Sequence, residues 1–170
     1  MATSNSSSAP TRHVGKMTIT AISDLEVELT REFNAPRRLV FEAMTKAEHI
    51  KHWWGSRDAP MVECQIDFRP GGCYRYVIRK LKGPEYAFRG EFREIVPPER
   101  IVQTFEVEGL AGSISYETLT LTEHDGKTTL RARSRMESIE ARDAMLRSGM
   151  EAGAAATYDR LEELLTALSK

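Results

Sequence analysis

Several features that mark whole classes of proteins are missing or rare in this 170-residue sequence. It has only two cysteines, Cys64 and Cys73, which form neither a CxxC pair nor a disulfide framework, so we expect free thiols in a reducing compartment. No apolar run approaches the roughly 18 residues that a membrane-spanning helix needs, and residues 1–16 lack the apolar stretch of a secretory signal. These absences predict a cytoplasmic protein without a membrane span.

A net charge of either sign is also missing. The chain has 24 lysines and arginines against 25 aspartates and glutamates, a balance that gives no electrostatic attraction to nucleic acid or to an anionic membrane. Arg131, Arg133 and Arg135 do align on one side of a predicted strand, and we interpret this row as a solvated sheet face. We therefore predict no nucleic-acid partner.

The motifs of several enzyme classes are absent as well. The sequence has no nucleophile elbow, no Ser-His-Asp order and no Walker-type phosphate loop, which excludes an NTPase or a dinucleotide-binding enzyme. His49 and His52 are three residues apart on a predicted helix, and Cys64 would be a third metal ligand. Because neither an HExxH motif nor a paired-cysteine motif accompanies them, we interpret both histidines as solvated and predict no metal or cofactor.

Length and composition indicate one ordinary domain. Residues 1–16 are rich in Ser, Thr and Ala and predict a disordered tail, which leaves residues 17–170 as a single domain with its own hydrophobic core. The folded part begins with a strand in which Leu29 and Phe33 alternate with polar residues. Arg31 shares their side of the strand, so we expect it to point inward and to need a buried partner.

Two short helices are predicted after this strand. Pro36 suits the first position of one helix, and Thr45 with Glu48 has the form of a capping box that opens the other. Trp53 and Trp54 lie at the end of the second helix. Because adjacent helical residues cannot face the same way, we expect one tryptophan to hold the helices against the sheet and the other to face a cavity or solvent.

Six further strands separated by turn residues follow. Val62, Cys64 and Ile66 alternate with polar residues, which predicts that they face inward. Asp125-Gly126 lies between the last two strands and is the strongest signal for a tight hairpin. Because consecutive strands joined by tight turns pair antiparallel, the sequence predicts an α+β fold with an antiparallel sheet.

Residues 148–168 predict a long final helix with two unequal halves. Ser148 followed by Glu151 has the form of a capping box, which would start the helix at Ser148. One face carries small residues such as Gly153 and Ala154 in its first half and large residues in its second half. Packed on a sheet, such a helix either leaves a space beneath the small residues or approaches the sheet closely with no void. Both arrangements agree with the pattern.

Several motifs occur in the order that a known family shows, as in TREFNAP at residues 30–36, WWG at 53–55, RPGG at 69–72 and REIVPPER at 93–100. With these motifs, residues 17–168 resemble START-like helix-grip proteins. More narrowly, they resemble bacterial relatives of the C-terminal domain of the activator of the 90-kDa heat-shock protein ATPase. The resemblance implies a curved seven-stranded antiparallel sheet wrapped around a long C-terminal helix. It also implies two short helices between strands 1 and 2, and an apolar cavity between the sheet and the long helix.

A cavity of this kind would bind a lipid-like or aromatic small molecule. The expected lining combines inward aromatic residues of the strands with one tryptophan, two inward polar residues and residues of the final helix. These candidates are Trp54, Tyr74, Tyr76, Phe88, Phe92, Gln103, Glu117, Met150, Gly153, Ala154 and Tyr158. The sequence therefore predicts a protein that binds a hydrophobic small molecule.

Two other functions fit the same pattern. Glu117 shares a strand side with Leu119, so an apolar cavity would raise its pKa and allow it to act as the acid or base of a cyclase or hydrolase, with Arg31 or a tyrosine as its partner. The alternative for this position is a structural Glu117–Arg31 pair or a different strand register. The other function, which the resemblance implies, is an interaction module for a chaperone. We favour binding over catalysis, and a homodimer is compatible with a small domain of this kind.

Overall fold

The computed structural model describes residues 11–170. Within this range the chain forms ten strands and four helices. The strands are β1 (Thr11–Val14), β2 (Met17–Ala21), β3 (Glu26–Phe33), β4 (Gly55–Ser56), β5 (Ala59–Ile66), β6 (Cys73–Arg79), β7 (Glu85–Val96), β8 (Arg100–Val107), β9 (Ser115–His124) and β10 (Lys127–Met136). The helices are α1 (Arg37–Thr45), α2 (Ala47–Trp53), α3 (Ile139–Arg147) and α4 (Met150–Leu168).

The ten strands form one sheet in the order β1-β2-β3-β10-β9-β8-β7-β6-β5-β4, and each neighbouring pair is antiparallel. The predicted α+β class, the antiparallel sheet and the long C-terminal helix are confirmed. The predicted number of seven strands is wrong, because β1, β2 and β4 were not expected. These three strands have only four, five and two residues, too few for a clear alternation of apolar and polar side chains.

The tail predicted over residues 1–16 extends too far along the chain. Thr11–Val14 form the edge strand β1, which pairs with β2. The side chain of Arg12 forms an ion pair with Glu151 of α4. A polar, exposed edge strand has the same composition as a tail, so the sequence pattern could not separate the two. Residues 1–10 lie outside the described part of the chain.

The hairpin between β9 and β10 is the turn that the sequence predicts most strongly, and it is confirmed. Asp125 and Gly126 both have positive φ angles, 51° and 75°, as a two-residue type I′ turn requires. The flanking residues His124 and Lys127 are paired in register. This register fixes which residues of β9 and β10 face the same side of the sheet.

One predicted inward position lies on the wrong side of the sheet. The pairing of β5 with β6 shifts between Met61 and Glu63, which leaves Val62 as an extra residue in β5. Val62 is 47% exposed. A β-bulge of this kind has no reliable sequence signal, and it interrupts the alternation that the prediction assumed.

The two short helices α1 and α2 follow β3, as predicted, but the capping box proposed for the second helix is wrong. The hydroxyl of Thr45 donates to the backbone oxygen of Phe41, 2.8 Å away, within α1. Helix α2 begins at Ala47, and the preceding residue Lys46 makes no side-chain capping bond. Thr45 therefore closes the first helix instead of opening the second.

A separate helix, α3, precedes the long C-terminal helix, and the sequence analysis missed it. Its N-cap is Ser138, whose hydroxyl accepts a hydrogen bond from the backbone N–H of Ala141 at 3.0 Å. Ser148 ends this helix by donating to the Met145 oxygen at 2.7 Å, so the capping box predicted at Ser148 is wrong. Gly149, with φ 81°, turns the chain into α4. None of the residues of α3 is fully buried, which is why it lacks a clear apolar stripe.

The sheet and α4 enclose the core. In the second half of α4, Leu161 and Leu165 are fully buried among residues of α1, α2 and the sheet. In the first half, Ala155 belongs to a smaller cluster with β2, β3 and β10. Tyr158 lies between the halves and packs against both clusters. Over residues 11–170, each helix is too short or too polar to cross a membrane.

Candidate functional site

A cavity of about 770 Å³ lies between the inner face of the sheet and the first half of α4. Helix α4 contributes the small residues Gly153 and Ala154 to it, together with larger side chains such as Met150 and Tyr158. A Cβ atom placed on Gly153 would meet no other atom within 4 Å. The small residues keep this half of the helix from filling the space above the sheet.

Aromatic side chains form one continuous wall of the cavity. The ring centroid of Trp54 lies 4.8 Å from that of Phe88 and 5.2 Å from that of Tyr76. The rings of Tyr74 and Tyr76 are 4.9 Å apart, and those of Tyr74 and Phe92 are 5.3 Å apart. Aromatic and apolar walls with few polar groups are typical of small-molecule sites.

The predicted lining residues come together around this one cavity. The set includes residues of α4, the aromatic residues of β6 and β7, the tryptophan after α2, and the two polar residues of β8 and β9. The lining residues predicted from sequence are Trp54, Tyr74, Tyr76, Phe88, Phe92, Gln103, Glu117, Met150, Gly153, Ala154 and Tyr158. That they bind a ligand stays a prediction.

The two adjacent tryptophans have different environments. Trp53 is 4% exposed, and its indole N–H donates to the backbone oxygen of Ala43 at 2.8 Å. This bond holds α2 against α1. Trp54 is half-buried and packs edge-on against Phe88. Trp53 therefore stabilises the two helices, while Trp54 forms part of the cavity wall.

Three of the polar residues that line the cavity form one row across three strands. Gln103, Glu117 and Ser134 lie directly opposite one another on β8, β9 and β10. The side-chain amide of Gln103 donates to the Glu117 carboxylate, with 3.0 Å between Nε2 and Oε2. Phe92 lies opposite Gln103, and Val27 lies opposite Ser134, so the row is bounded by apolar side chains at both ends.

Tyr74 is held beside this row by the backbone of β8. Its hydroxyl donates to the Thr104 oxygen at 2.6 Å and lies 3.4 Å from the Gln103 amide nitrogen. The ring passes directly over Gly90, where an added Cβ atom would lie 2.5 Å from the Tyr74 hydroxyl. Only glycine leaves room for the tyrosine at this point. Burial raises the pKa of Tyr74, and the nearby Glu117 raises it further.

The Glu117 carboxyl faces the cavity and is removed from bulk solvent. The Glu117 side chain is half-buried, and it borders the open space of the cavity. Desolvation raises the pKa of Glu117, while hydrogen bonds from Gln103 and Ser134 oppose this effect. Burial also raises the pKa of Tyr158, with a further contribution from Glu117. A protonated Glu117 would be a hydrogen-bond donor, and an ionised one would be an acceptor.

Arg31 points inward as predicted, but it does not pair with Glu117. It is 1% exposed, and its Nη1 atom donates to the Asp159 carboxylate of α4 at 2.7 Å. Its guanidinium also lies over the ring of Phe33, 5.3 Å from the ring centroid. The predicted Glu117–Arg31 pair is therefore wrong. Sequence reasoning missed Asp159 because its side chain lies on an otherwise solvated part of α4, with no apolar pattern to mark it.

Two other groups of residues predicted from the sequence do not line the cavity. They are His49 and His52 with Cys64, and the row of three arginines on β10. Across residues 11–170, no group of three or more His, Cys, Asp or Glu side chains is arranged to hold a metal ion. The row of Arg131, Arg133 and Arg135 forms ion pairs with Glu28 and Glu26 of β3. These arginines are more than half exposed, so the row lies on the solvated sheet face, as interpreted from the sequence.

Part of the cavity lining was not predicted. Helix α3 contributes Ala141, Ala144 and Met145, and the loop between β8 and β9 contributes Leu110 to Ser113. Leu110 is largely exposed, which places this loop where the cavity meets solvent. Neither segment has a periodic apolar pattern, so no sequence signal indicates that these segments approach the site.

The fold resembles several solved structures over nearly its whole length. A protein from Rhodobacter sphaeroides is 27% identical with a TM-score of 0.84, over 89% of this chain and 99% of that one. Protein Ms6760 from Mycobacterium smegmatis is 27% identical with a TM-score of 0.77, over 94% of this chain and 99% of that one. DynU16, a protein of the dynemicin biosynthetic locus, shares the fold at 23% identity and a TM-score of 0.63, over 85% of this chain and 48% of that one.

No curated protein matches the sequence. A family model does match, over residues 34–166, which include α1, α2, the strands from β4 to β10, α3 and most of α4. Its description is Activator of Hsp90 ATPase homolog 1-like protein. The matched region contains most of the cavity lining and the whole polar row. The chain therefore belongs to the Activator of Hsp90 ATPase homolog 1-like family.

Proposed function

We propose that this protein binds a hydrophobic small molecule in the cavity beneath the first half of α4. The observation that carries the proposal is the cavity itself, about 770 Å³ in volume with a continuous aromatic wall. Sites for small molecules and cofactors have volumes of about 300–1,000 Å³. The apolar area that a ligand buries would supply roughly 25 cal/mol per Å².

The proposal is tested by filling the cavity from α4. Ala154 lines the cavity, so the substitution Ala154→Phe places a ring in the space that a ligand would occupy. Ala156 is exposed on the same helix, and Ala156→Phe is the matched control. The probe is N-phenyl-1-naphthylamine, a neutral molecule whose fluorescence rises in apolar surroundings. We expect Ala154→Phe to weaken its binding by about tenfold or more and Ala156→Phe to leave binding unchanged.

A second variant separates loss of space from disturbed packing. Gly153→Leu adds a side chain at a position that lines the cavity, where a Cβ atom meets nothing within 4 Å, so the first carbon of the new side chain displaces no neighbour. We expect it to weaken binding of the same probe. Equal binding by the wild type and by the folded Ala154→Phe and Gly153→Leu variants would contradict the proposal.

Catalysis by Glu117 is a second candidate function, favoured by the inward position of this carboxyl and the absence of an Arg31 partner. Burial raises the pKa of Glu117 in the direction that a general acid or base near neutral pH needs. The test is hydrolysis of p-nitrophenyl butyrate. A hydrolase that uses Glu117 would lose a factor of about 10²–10⁴ in rate in the Glu117→Gln variant. Equal rates for the two proteins would contradict this function.

Contact with a chaperone is supported only by the family description. A pulldown with the bacterial 90-kDa heat-shock protein, followed by measurement of its ATPase rate, tests this function directly. No binding and no change in the rate would contradict it. A cytoplasmic location and a homodimer stay predictions of the sequence.

A further inference from the structure

The polar row of the cavity offers a ligand mainly hydrogen-bond acceptors. A carboxylate has two oxygens with about four acceptor positions. The Gln103 amide uses one position on Oε2 of Glu117, at 3.0 Å. The hydroxyl of Ser134, directly opposite Glu117 on β10, faces the same carboxyl. Glu117 therefore keeps free acceptor positions beside the cavity.

The protein supplies no positive charge to this carboxyl. Arg31 is committed to Asp159, at 2.7 Å, and in the part of the chain that the structure describes no lysine or arginine forms an ion pair with Glu117. The titratable groups that face it are the phenols of Tyr74 and Tyr158. A buried carboxylate without a counter-ion is costly, and a partner that brings a positive charge removes part of that cost.

The surroundings of Glu117 also suit a cation. The Gln103 amide nitrogen, 3.0 Å from the Glu117 carboxylate, lies 3.4 Å from the hydroxyl of Tyr74, whose ring centroid is 5.3 Å from that of Phe92. Aromatic faces within about 6 Å attract a cation through the ring quadrupole. Folding has already removed the Glu117 carboxyl from water and raised its pKa, so a bound ammonium group must offset its own desolvation and the ionisation of this carboxyl, which the ion pair itself favours.

We propose that the cavity prefers ligands with an aromatic or aliphatic body and a protonated amine, which binds the carboxylate of Glu117 in the row formed with Gln103 and Ser134. This inference rests on the proposed function, since it names the ligand class of the same cavity. A ligand hydroxyl would also donate to Glu117, but a hydrogen bond between two charged groups is stronger than one with a neutral partner. The charge, and not donation alone, is therefore the feature that selects the ligand.

The test compares three probes that share a naphthalene body. They are 2-(2-naphthyl)ethylamine, 2-(2-naphthyl)ethanol and 2-naphthylacetate, which end in a cation, a neutral hydroxyl and an anion. Their dissociation constants are measured by calorimetry at pH 7.5 with the full-length wild type. We expect the amine to bind about tenfold or more tightly than the alcohol, and the carboxylate to bind least.

The variant Glu117→Gln keeps the shape of the side chain and removes its charge. We expect it to lose the preference for the amine while it binds the alcohol within about threefold of the wild type. Glu32→Gln is the matched control, because Glu32 lies exposed on the outer face of β3 with Lys127 as its partner at 3.7 Å. We expect this control to keep the preference.

The possible outcomes distinguish a wrong ligand class from a wrong proposed function. Binding of all three probes with equal affinity by the wild type would overturn the ligand class and leave a hydrophobic binding protein. A preference for the amine that survives in Glu117→Gln would overturn the assignment to this carboxyl. Binding of none of the three probes would contradict the proposed function as well as this inference.

Discussion

The two halves of α4 differ in how they meet the sheet. In the second half, Leu161 and Leu165 are fully buried and fill the space between the helix and α1 and α2. In the first half, Gly153 and Ala154 leave the cavity of about 770 Å³. The second half of α4 thus packs in the hydrophobic core, whereas the first half borders a cavity. The change occurs at Tyr158, which packs against both core clusters.

The largest effect is expected from shortening a side chain in the filled half. Leu161 is fully buried, so Leu161→Ala removes packed methyl groups and leaves a new void. We expect the free energy of unfolding to fall by about 2–5 kcal/mol, measured by urea unfolding. Leu168→Ala, at an exposed position near the end of the same helix, is the control and should cost less than about 1 kcal/mol. Equal losses for the two variants would contradict the division of α4 into unequal halves.

A smaller effect is expected at the boundary between the halves, where Asp159 pairs with Arg31. Asp159→Asn leaves the guanidinium of Arg31, which is 1% exposed, without its counter-ion. Since Asp159 itself is 58% exposed, solvent screening reduces the cost, and we expect a loss of roughly 1–2 kcal/mol in urea unfolding. The exposed pair Arg57–Glu163 gives the control: Glu163→Gln should cost no more than about 0.5 kcal/mol. If Asp159→Asn lowers the free energy of unfolding by no more than Glu163→Gln does, Arg31 does not depend on Asp159 as a partner.

In the open half, adding a methyl group should stabilise the protein. Gly153 is a helical residue with free space around its Cβ position, so Gly153→Ala gains helix propensity without a clash. We expect the free energy of unfolding to rise by about 0.5–1 kcal/mol. Gly149→Ala should act in the opposite direction, because Gly149 has φ 81° at the start of α4. Destabilisation by Gly153→Ala would mean that the first half of α4 is closely packed.

The carboxyl of Glu117, beneath the open half of α4, should make the stability of the protein depend on pH. Because burial raises the pKa of Glu117, the folded protein holds this proton at pH values where the unfolded chain has lost it. The resulting stabilisation is complete below the ordinary glutamate pKa and is lost as the pH rises through the raised one. The Glu117→Gln variant should therefore gain stability relative to the wild type between pH 5 and pH 8.

The phenols of Tyr74 and Tyr158, which face Glu117, both have raised pKa values and stay protonated over this range. They therefore add no pH dependence of their own. Urea unfolding at pH 5 and at pH 8 measures the difference in free energy of unfolding between Glu117→Gln and the wild type. Glu32→Gln is the control for a surface carboxylate. If the difference in free energy of unfolding between Glu117→Gln and the wild type does not change with pH, Glu117 is not a buried carboxyl without a counter-ion.

The sequence predicts those parts of the molecule in which side-chain type alone fixes the position. The turn at Asp125 and Gly126 sets the register of β9 and β10, and this register turns Glu117 toward the cavity. The order of large and small residues in α4 likewise indicates where space remains. Both signals are local, so a single sequence is enough to find them.

The remaining features depend on contacts between distant residues. Arg31 and Asp159 are 128 positions apart, and no pattern in either segment marks them as partners. The bulge at Val62 and the helix α3 also leave no periodic signal, because the first breaks the alternation of β5 and the second has no fully buried residue. Long-range pairing and irregular backbone therefore had to come from the structure.

NMR on methionine methyl groups shows directly whether a ligand binds beneath the first half of α4. Met44, Met136, Met145 and Met150 line the cavity, whereas Met17 and Met61 do not. On titration of ¹³C-methyl-labelled protein with 2-(2-naphthyl)ethanol, we expect the four lining methyl signals to shift and the signals of Met17 and Met61 to stay unchanged. Shifts at Met17 and Met61 alone, or no shifts at saturating probe, would contradict it.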